Sequence, residues 1–457
     1  MKSLALLDAI FLFLETSENP KHIGAVMVFD PAPDAKPGQL TDLVNRFREI
    51  EATPPFNRRV KFHTLGMPTW ETLPACDLDF HVRHVVLPDA GDEHALLEYV
   101  ARAHEPLLDR DMPLWEFHVI EGLAGDRFAV YTKIHHACVD GMSGVARIQA
   151  TLHDDPDDRE LRAPWGALDE KSDSRRRSHE KGRLAQLSKS AGALRQHLQA
   201  GTELSAAALS RAMEVAGLTR GRHYLPFSAP RTAINRSVHR ARAIGVATLE
   251  VDRVREAAHR NRSTVNDVVL AVIDDAMHRY LRDHDVDTRE RLVAMMPMSL
   301  RKEGDTDPNT QACLLYVELG SGGASPRQRL AQIHRAADAA KEEARGYSSA
   351  ALSDHSMLVI GLAELVGRLP GSDAVRPAGN VLVSNVPGSD RSLYFHGAKL
   401  RAAYPMSTLM PGCALNVTLL RHGNQLDFGL VASRETIPDV AALASYIEEA
   451  FEELDKS

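Results

Sequence analysis

The segment Lys133-Ile134-His135-His136-Ala137-Cys138-Val139-Asp140-Gly141-Met142-Ser143-Gly144 sets two adjacent imidazoles, a carboxylate and two glycines at the end of an apolar run. Histidine is the side chain whose ordinary pKa, about 6.5, suits proton removal near neutral pH. Three uses compete for this pattern. In the first, His136 is a general base toward a hydroxyl and Asp140 holds the loop. In the second, His135, His136 and Asp140 bind a metal ion, and in the third the histidines are a structural pair satisfied by backbone. The metal reading suffers because adjacent histidines point apart, no His-Glu-x-x-His spacing occurs and no third strong ligand is nearby. Spacing alone leaves base and structural pair open. Cys138 lies between base and acid, but a free thiol in an apolar loop is ordinarily inert.

Something must carry those histidines to a cleft, and the preceding run Phe128 to Ile134 is apolar enough for a strand inside a sheet. Its partner is Trp115 to Glu121, joined to it by a turn at Gly122 to Asp126, and a helix over Met142 to Leu152 follows the glycines. Around this centre the alternation predicts strands at Ile23 to Val28 and Phe80 to Leu87, and helices at Lys36 to Ile50 and Glu93 to His104. Beyond Arg231 a second mixed run begins: strands at Ala241 to Leu249, Leu292 to Met296, Ala312 to Val317, Val381 to Ser384, Leu415 to Leu420 and Leu426 to Ala432. Helices alternate with them at Val251 to His259, Val265 to Tyr280, Pro326 to Arg345, Asp354 to Leu369 and Asp439 to Leu454. Between the two runs, Asp154 to Arg183 loses apolar content and reads as an exposed linker. Amphipathic helices are expected after it, the first with a basic face of Lys181, Arg183, Lys189 and Arg195. That face is either a solvated linker or a docking surface for an anionic membrane or lipid droplet. The simplest organisation is therefore two α/β halves, residues 1–165 and 231–457, with a charged linker over 166–230.

The 457-residue chain, 44% hydrophobic and 25% charged, has the composition of an ordinary globular protein and can bury large cores. Its net charge of −8 disfavours a phosphate-driven nucleic-acid binder. Four scattered cysteines without Cys-x-x-Cys spacing give neither a zinc ribbon nor a disulfide scaffold, which fits a reducing, cytoplasmic setting. At the N-terminus Asp8 interrupts the apolar run and Glu15 closes it. Leu4, Leu7, Phe11 and Leu14 recur at helical spacing, so the segment reads as a helix laid on a core or lipid surface rather than a signal peptide. No spanning segment is expected, since no run of about 18 apolar residues occurs, even around Met357 to Val366.

The histidine segment resembles the His-His-x-x-x-Asp-Gly signature of the chloramphenicol-acetyltransferase-like acyltransferases. Six further blocks are similar to the bacterial wax ester synthase/diacylglycerol acyltransferases in particular. In order they are Leu7-Asp8-Ala9-Ile10-Phe11-Leu12 with His22-Ile23-Gly24, Pro113-Leu114-Trp115-Glu116, Asn266-Asp267-Val268-Val269-Leu270, Pro297-Met298-Ser299-Leu300-Arg301, Ser384-Asn385-Val386-Pro387-Gly388 and Leu426-Asp427-Phe428-Gly429-Leu430. The resemblance implies two chloramphenicol-acetyltransferase-like subdomains, each a mixed sheet flanked by helices, with an active-site tunnel at their interface. It implies that His136 deprotonates a long-chain alcohol or diacylglycerol, that the oxygen attacks the thioester of acyl-CoA directly, and that no metal or cofactor takes part, acyl-CoA being a substrate. His135 would support the base, and Asp140 would shape the loop with Arg301 as its partner.

Other residues carry two readings each. Gly141 gives the turn room that a side chain would take from the tunnel mouth. Thr264 and Asp267 read as a capping box, whereas Asn266 has no capping task and enters through the resemblance alone. Trp115 is a buried anchor or a wall of the acyl tunnel. Ser384 and Asn385 border the interface near the reacting carbonyl without an oxyanion donor being assignable. Pro308-Asn309 and the stretch Met406 to Gly412 depart from the family pattern, which leaves the acceptor open. Two other classes of function share these features: a condensation-type acyltransferase fed by a carrier-protein thioester, and a non-catalytic lipid-droplet-binding protein.

Overall fold

The computed structural model describes residues 2–4, 6–64, 66–139, 141–167, 224–284, 286, 289–299 and 312–457. The first half contributes β1 (Lys2–Ser3), α1 (Leu6–Leu14), β2 (His22–Asp30), α2 (Gln39–Arg48), β3 (Arg58–Lys61), β4 (Thr69–Thr72), α3 (Leu78–His81), β5 (Val82–Gly91), α4 (Glu93–His104), β6 (Trp115–Leu123), β7 (Arg127–His135) and α5 (Gly141–Gln149). The second contributes β8 (Arg242–Glu250), α6 (Val251–Arg260), α7 (Val265–Asp283), β9 (Val293–Ser299), β10 (Ala312–Glu318), α8 (Pro326–Arg345), α9 (Ser349–Gly367), β11 (Val381–Ser389), β12 (Tyr394–Phe395), β13 (Ala398–Met406), β14 (Leu415–His422), β15 (Gln425–Ser433) and α10 (Val440–Lys456). The amphipathic helices expected after residue 183 lie outside the described residues.

Two six-stranded sheets organise the chain, in the orders β12-β13-β2-β7-β6-β5 and β10-β9-β11-β14-β15-β8. Both are mixed: β5 runs parallel to β6, and β11 parallel to β9 and β14, while the other ladders are antiparallel. A small sheet of β1, β4 and β3 stands apart. Each large sheet has its own apolar core, one around Phe29, Phe47, Phe117 and Trp165, the other around α7, α10 and the inner faces of β14 and β15.

Sequence order and sheet membership part company at β13. Residues 398–406 belong by sequence to the second half, yet β13 pairs with β2 from Lys399 opposite Asp30 to Met406 opposite Gly24. The boundary at 231–457 therefore does not coincide with the sheets, because the chain crosses back and lends β12 and β13 to the first. A third core, with Val26, Val28, Ala402 and Tyr404 from the first sheet and Ile244 and Val431 from the second, seals the halves together. The approach is close enough that a Cβ on Gly429 of β15 would lie 1.8 Å from the carbonyl oxygen of Pro405, so only glycine fits there.

Among the described residues one helix, α9, is long and apolar enough to cross a membrane by length and composition alone. The sequence reading started its helix at Asp354 and found no such segment. Here α9 packs beside β10 and sends Glu364 into a buried ion pair with Lys21, whose ends are 2.5 Å apart.

Candidate active site

β7 delivers the histidines. His135 is its last residue, opposite His22 of β2, and the His136 N–H donates to the Lys21 carbonyl at 2.9 Å, extending the ladder by one residue. Strand alternation then sends the two rings to opposite sides. His135 is buried: its Nδ1 accepts the Ala137 N–H at 3.0 Å, and its Nε2 faces Glu15 Oε1 at 3.3 Å. An Nδ1 that accepts cannot also carry a proton, so the ring proton sits on Nε2, toward the carboxylate. The Nδ1 of His135 is thus committed to the backbone, while its Nε2 faces the Glu15 carboxylate. The His136 ring, only partly buried, stacks on Phe11 with centroids 4.1 Å apart and planes 20° from parallel.

Glu15 follows Phe11 by one helical turn, so α1 supports both histidines. Its carboxylate accepts the Lys21 N–H at 3.0 Å and an Arg110 Nη2–H at 3.1 Å. Burial alone would raise its pKa, but the contacts to His135, Lys21 and Arg110 outweigh burial and hold it at about 2. Sequence reasoning saw Glu15 only as the residue that closes the apolar run, and passed over Phe11, Lys21 and Arg110 as neighbours of the histidines. The spacing of four between Phe11 and Glu15 was the available signal, and it does not say which strand end lies opposite.

α5, which follows the histidine turn, packs against β11, the strand that carries Ser384 and Asn385. Asn385 Nδ2–H donates to Asn266 Oδ1 at 2.8 Å, so two of the expected residues meet within the second half, on the strand that α5 packs against. Next to them the capping box of α7 forms as read: Thr264 Oγ1 accepts the Asp267 N–H and Asp267 Oδ2 accepts the Thr264 N–H. Asp267 Oδ2 also accepts from His334 Nδ1 at 2.8 Å, a contact with α8 that the sequence did not disclose.

With a strand-borne histidine pair at the seam of two mixed sheets, the comparisons with known proteins become decisive. Residues 4–269 match the family model of the wax ester synthase/diacylglycerol acyltransferase catalytic domain, and residues 310–455 match that of the C-terminal domain. The chain belongs to the wax ester synthase/diacylglycerol acyltransferase family. It is 34% identical to the O-acyltransferase WSD of Acinetobacter baylyi, covering 98% of this chain and 96% of that one. It is 36% identical to a Mycobacterium tuberculosis protein named as the probable diacylglycerol O-acyltransferase tgs2, covering 98% of each. The wax ester synthase/diacylglycerol acyltransferase from Marinobacter aquaeolei VT8 shares its structure with a TM-score of 0.76 at 29% identity, over 100% of this chain and 99% of that one. A condensation domain of the calcium-dependent antibiotic synthetase, at 15% identity and a TM-score of 0.60 over 99% of this chain and 96% of that one, shares the fold alone. The protein is an O-acyltransferase with the two-subdomain architecture of that family.

Within this acyltransferase family frame the remaining expected residues divide. Trp115, 3% exposed, is spent on the core: its ring stacks on His81 and Trp165, and its Nε1–H donates to the Phe56 carbonyl at 2.9 Å. Of its two readings it fills that of the anchor. Gly141 opens α5, where a Cβ would meet no atom within 4 Å and φ is not left-handed, so the protein's own packing does not require glycine there. Cys138 has its thiol pKa pushed far up by burial, as an inert cysteine should. Asp140 and Arg301 lie outside the described residues, as do Pro308 and Asn309. Among the described residues no group of three or more His, Cys, Asp or Glu side chains could hold a metal ion. A cavity of about 410 Å³ opens between the halves beside Asn19, Glu364, Arg368 and Gly412, and His136 does not line it.

Proposed function

We propose that the chain transfers a fatty acyl group from acyl-CoA to a long-chain alcohol, to diacylglycerol or to both, with His136 as the general base. The observation that supports this reading is the placement of the two histidines. His135 is buried and backs the turn, its Nδ1 held by the Ala137 N–H and its Nε2 facing Glu15, whereas the His136 ring is only partly buried, stacked on Phe11 at the end of β7. In the reaction so read, His136 takes the hydroxyl proton as the acceptor oxygen attacks the thioester carbonyl. The C–S bond then breaks, and the departing CoA thiolate recovers the proton from the imidazolium. A thioester is already activated, so neither an acyl-enzyme nor a cofactor is needed. Such a base contributes about 10²–10⁴-fold, and orientation of two bound substrates supplies much of the rest.

Asn266 and Asn385 are read as positioning residues at the seam, and Ser384 as a neighbour of the reacting carbonyl. Selection of acyl length is expected to be gradual, at about 0.8 kcal/mol per buried methylene. The enzyme is read as cytoplasmic and peripheral to membrane or droplet lipid, where its acceptors reside.

The test is CoA-thiol release from palmitoyl-CoA, offered hexadecanol or diacylglycerol in turn. His136→Ala should lower turnover about 10²-fold or more while palmitoyl-CoA binding and the unfolding midpoint stay near wild type. Near-normal turnover in that variant would remove the base from His136.

A further inference from the structure

α9 is apolar on both sides. Ala351, Ser356, Val359 and Ala363 face the protein, yet Leu358, Leu362, Leu365 and Leu369 stand between 41 and 60% exposed in and just past the helix, at spacings of four, three and four. A helix apolar all round is ordinarily enclosed by apolar surroundings, and among the described residues nothing encloses one face. The stripe continues onto the first half. Arg368 Nη2–H donates to the carbonyls of Phe13 and Leu14, Phe13 is itself exposed, and its ring lies 6.4 Å from that of exposed Phe62.

Charge is sparse on the C-terminal half of this face, Asp354 standing one turn before Leu358. From Met357 to Leu369 the only acid is Glu364, which is buried against Lys21, and the only exposed ionisable residue is Arg368. At the other margin the Arg110 guanidinium sits 5.3 Å from the centre of the Phe62 ring. Protruding leucine and phenylalanine rimmed by arginine is the pattern of a surface seated at the boundary between phospholipid headgroups and acyl chains. The same helix α1 that presents Phe13 to this face holds Phe11, on its other side, against His136, so one helix links the face to the active site.

We propose that α9, with Phe13 and Phe62, docks the enzyme on a phospholipid bilayer and brings the site to acceptor lipid lying in it. This deepens the proposed function and rests on it for the acceptor. It also assigns docking to a surface other than the basic linker helix suggested by the sequence.

Full-length protein should float with phosphatidylcholine vesicles, more strongly when phosphatidylglycerol is included. The double variant Leu362→Ser, Leu365→Ser should lose about tenfold or more in partitioning and slow on vesicle-borne diacylglycerol, while turnover of short, water-dispersed acyl-CoA and alcohol stays at wild-type level. Leu365→Trp preserves the apolar face, and its fluorescence should shift to the blue when vesicles are added. An unshifted spectrum, undiminished flotation of the double variant, or no flotation of wild type would overturn the proposal. So would a dimer that the double variant breaks without vesicle binding, or a photo-crosslinker at position 365 that captures residues 168–223 of the same chain. Flotation lost in the double variant, with no CoA release by wild type on any acceptor, would sustain the docking surface and refute the acyl-transfer reading instead.

Discussion

At the scale of single residues, Glu15 anchors the buried member of the histidine pair. The Nε2 edge of His135 faces Glu15 Oε1 at 3.3 Å, so the carboxylate sets the electrostatic surroundings of the buried ring. The low pKa of that carboxyl has a consequence for stability. Folded, it titrates at about 2; unfolded, it returns to the ordinary 4.5, so between these values the unfolded chain binds more protons. Its contribution is complete above about pH 5 and is lost as pH falls through 2, amounting to about 3 kcal/mol for a carboxyl this buried. Urea unfolding followed from pH 7 to pH 3 should therefore steepen in its acid limb for wild type. Glu15→Gln should be less stable at pH 7 and lack that share of the acid dependence. Equal acid limbs in the two proteins would mean that the carboxylate is not held as described.

Elements position these residues through their ends more than through their lengths. α7 begins with reciprocal bonds between Thr264 and Asp267, and the same carboxylate receives His334 from α8, so one buried group fixes a helix start and a helix pair. Asn266, one residue earlier, points instead to Asn385 of β11 within the same half. The two neighbours should therefore fail differently. Asp267→Ala removes the cap and leaves His334 Nδ1 without its acceptor, at a cost of about 1–3 kcal/mol in chemical unfolding. Asn266→Ala should cost under about 1 kcal/mol and lower kcat by more than its stability loss explains. If both variants lost stability and activity in proportion, Asn266 would be no more than another part of the cap. The capping box was legible because its residues are three apart, as were the helices Glu93–His104 and Pro326–Arg345, whose apolar periodicity and end residues are local. The strand Ala398–Met406 was not. Its Ala402-Ala403 pair and Pro405 spoil the alternation, and its partner in β2 is 369 to 382 positions away. Glu15 was opaque for the same reason, since its meaning comes from strand ends that only the fold brings to it.

The whole molecule is tied together where Lys21 meets Glu364. The Lys21 carbonyl holds the His136 N–H, its own N–H is held by Glu15, and its ammonium reaches α9 in the other half, with both ionic side chains only 4% exposed. Burial pulls the Lys21 pKa down while Glu364 pushes it back up, the balance remaining below the ordinary value. Removing one partner leaves the other as an uncompensated buried charge, which costs about 3–5 kcal/mol when it cannot neutralise. Glu364→Gln leaves an ammonium that can shed its proton. Its folded-state pKa falls further below the unfolded value, about 10.4, so the unfolded chain holds the extra proton and the variant should gain stability as pH rises from 7 toward 10. Lys21→Met combined with Glu364→Leu takes both charges away and should recover most of the single-variant loss, giving a coupling energy well above 1 kcal/mol in a double-mutant cycle. Because Lys21 also carries the His136 bond, single variants that loosen this joint should lower kcat along with stability, and the double variant should restore both together. Additive losses with no coupling would show that the halves are joined by the apolar core around β13 and not by this pair. Recovery of stability without recovery of kcat would mean that the backbone at Lys21 is set independently of its side chain.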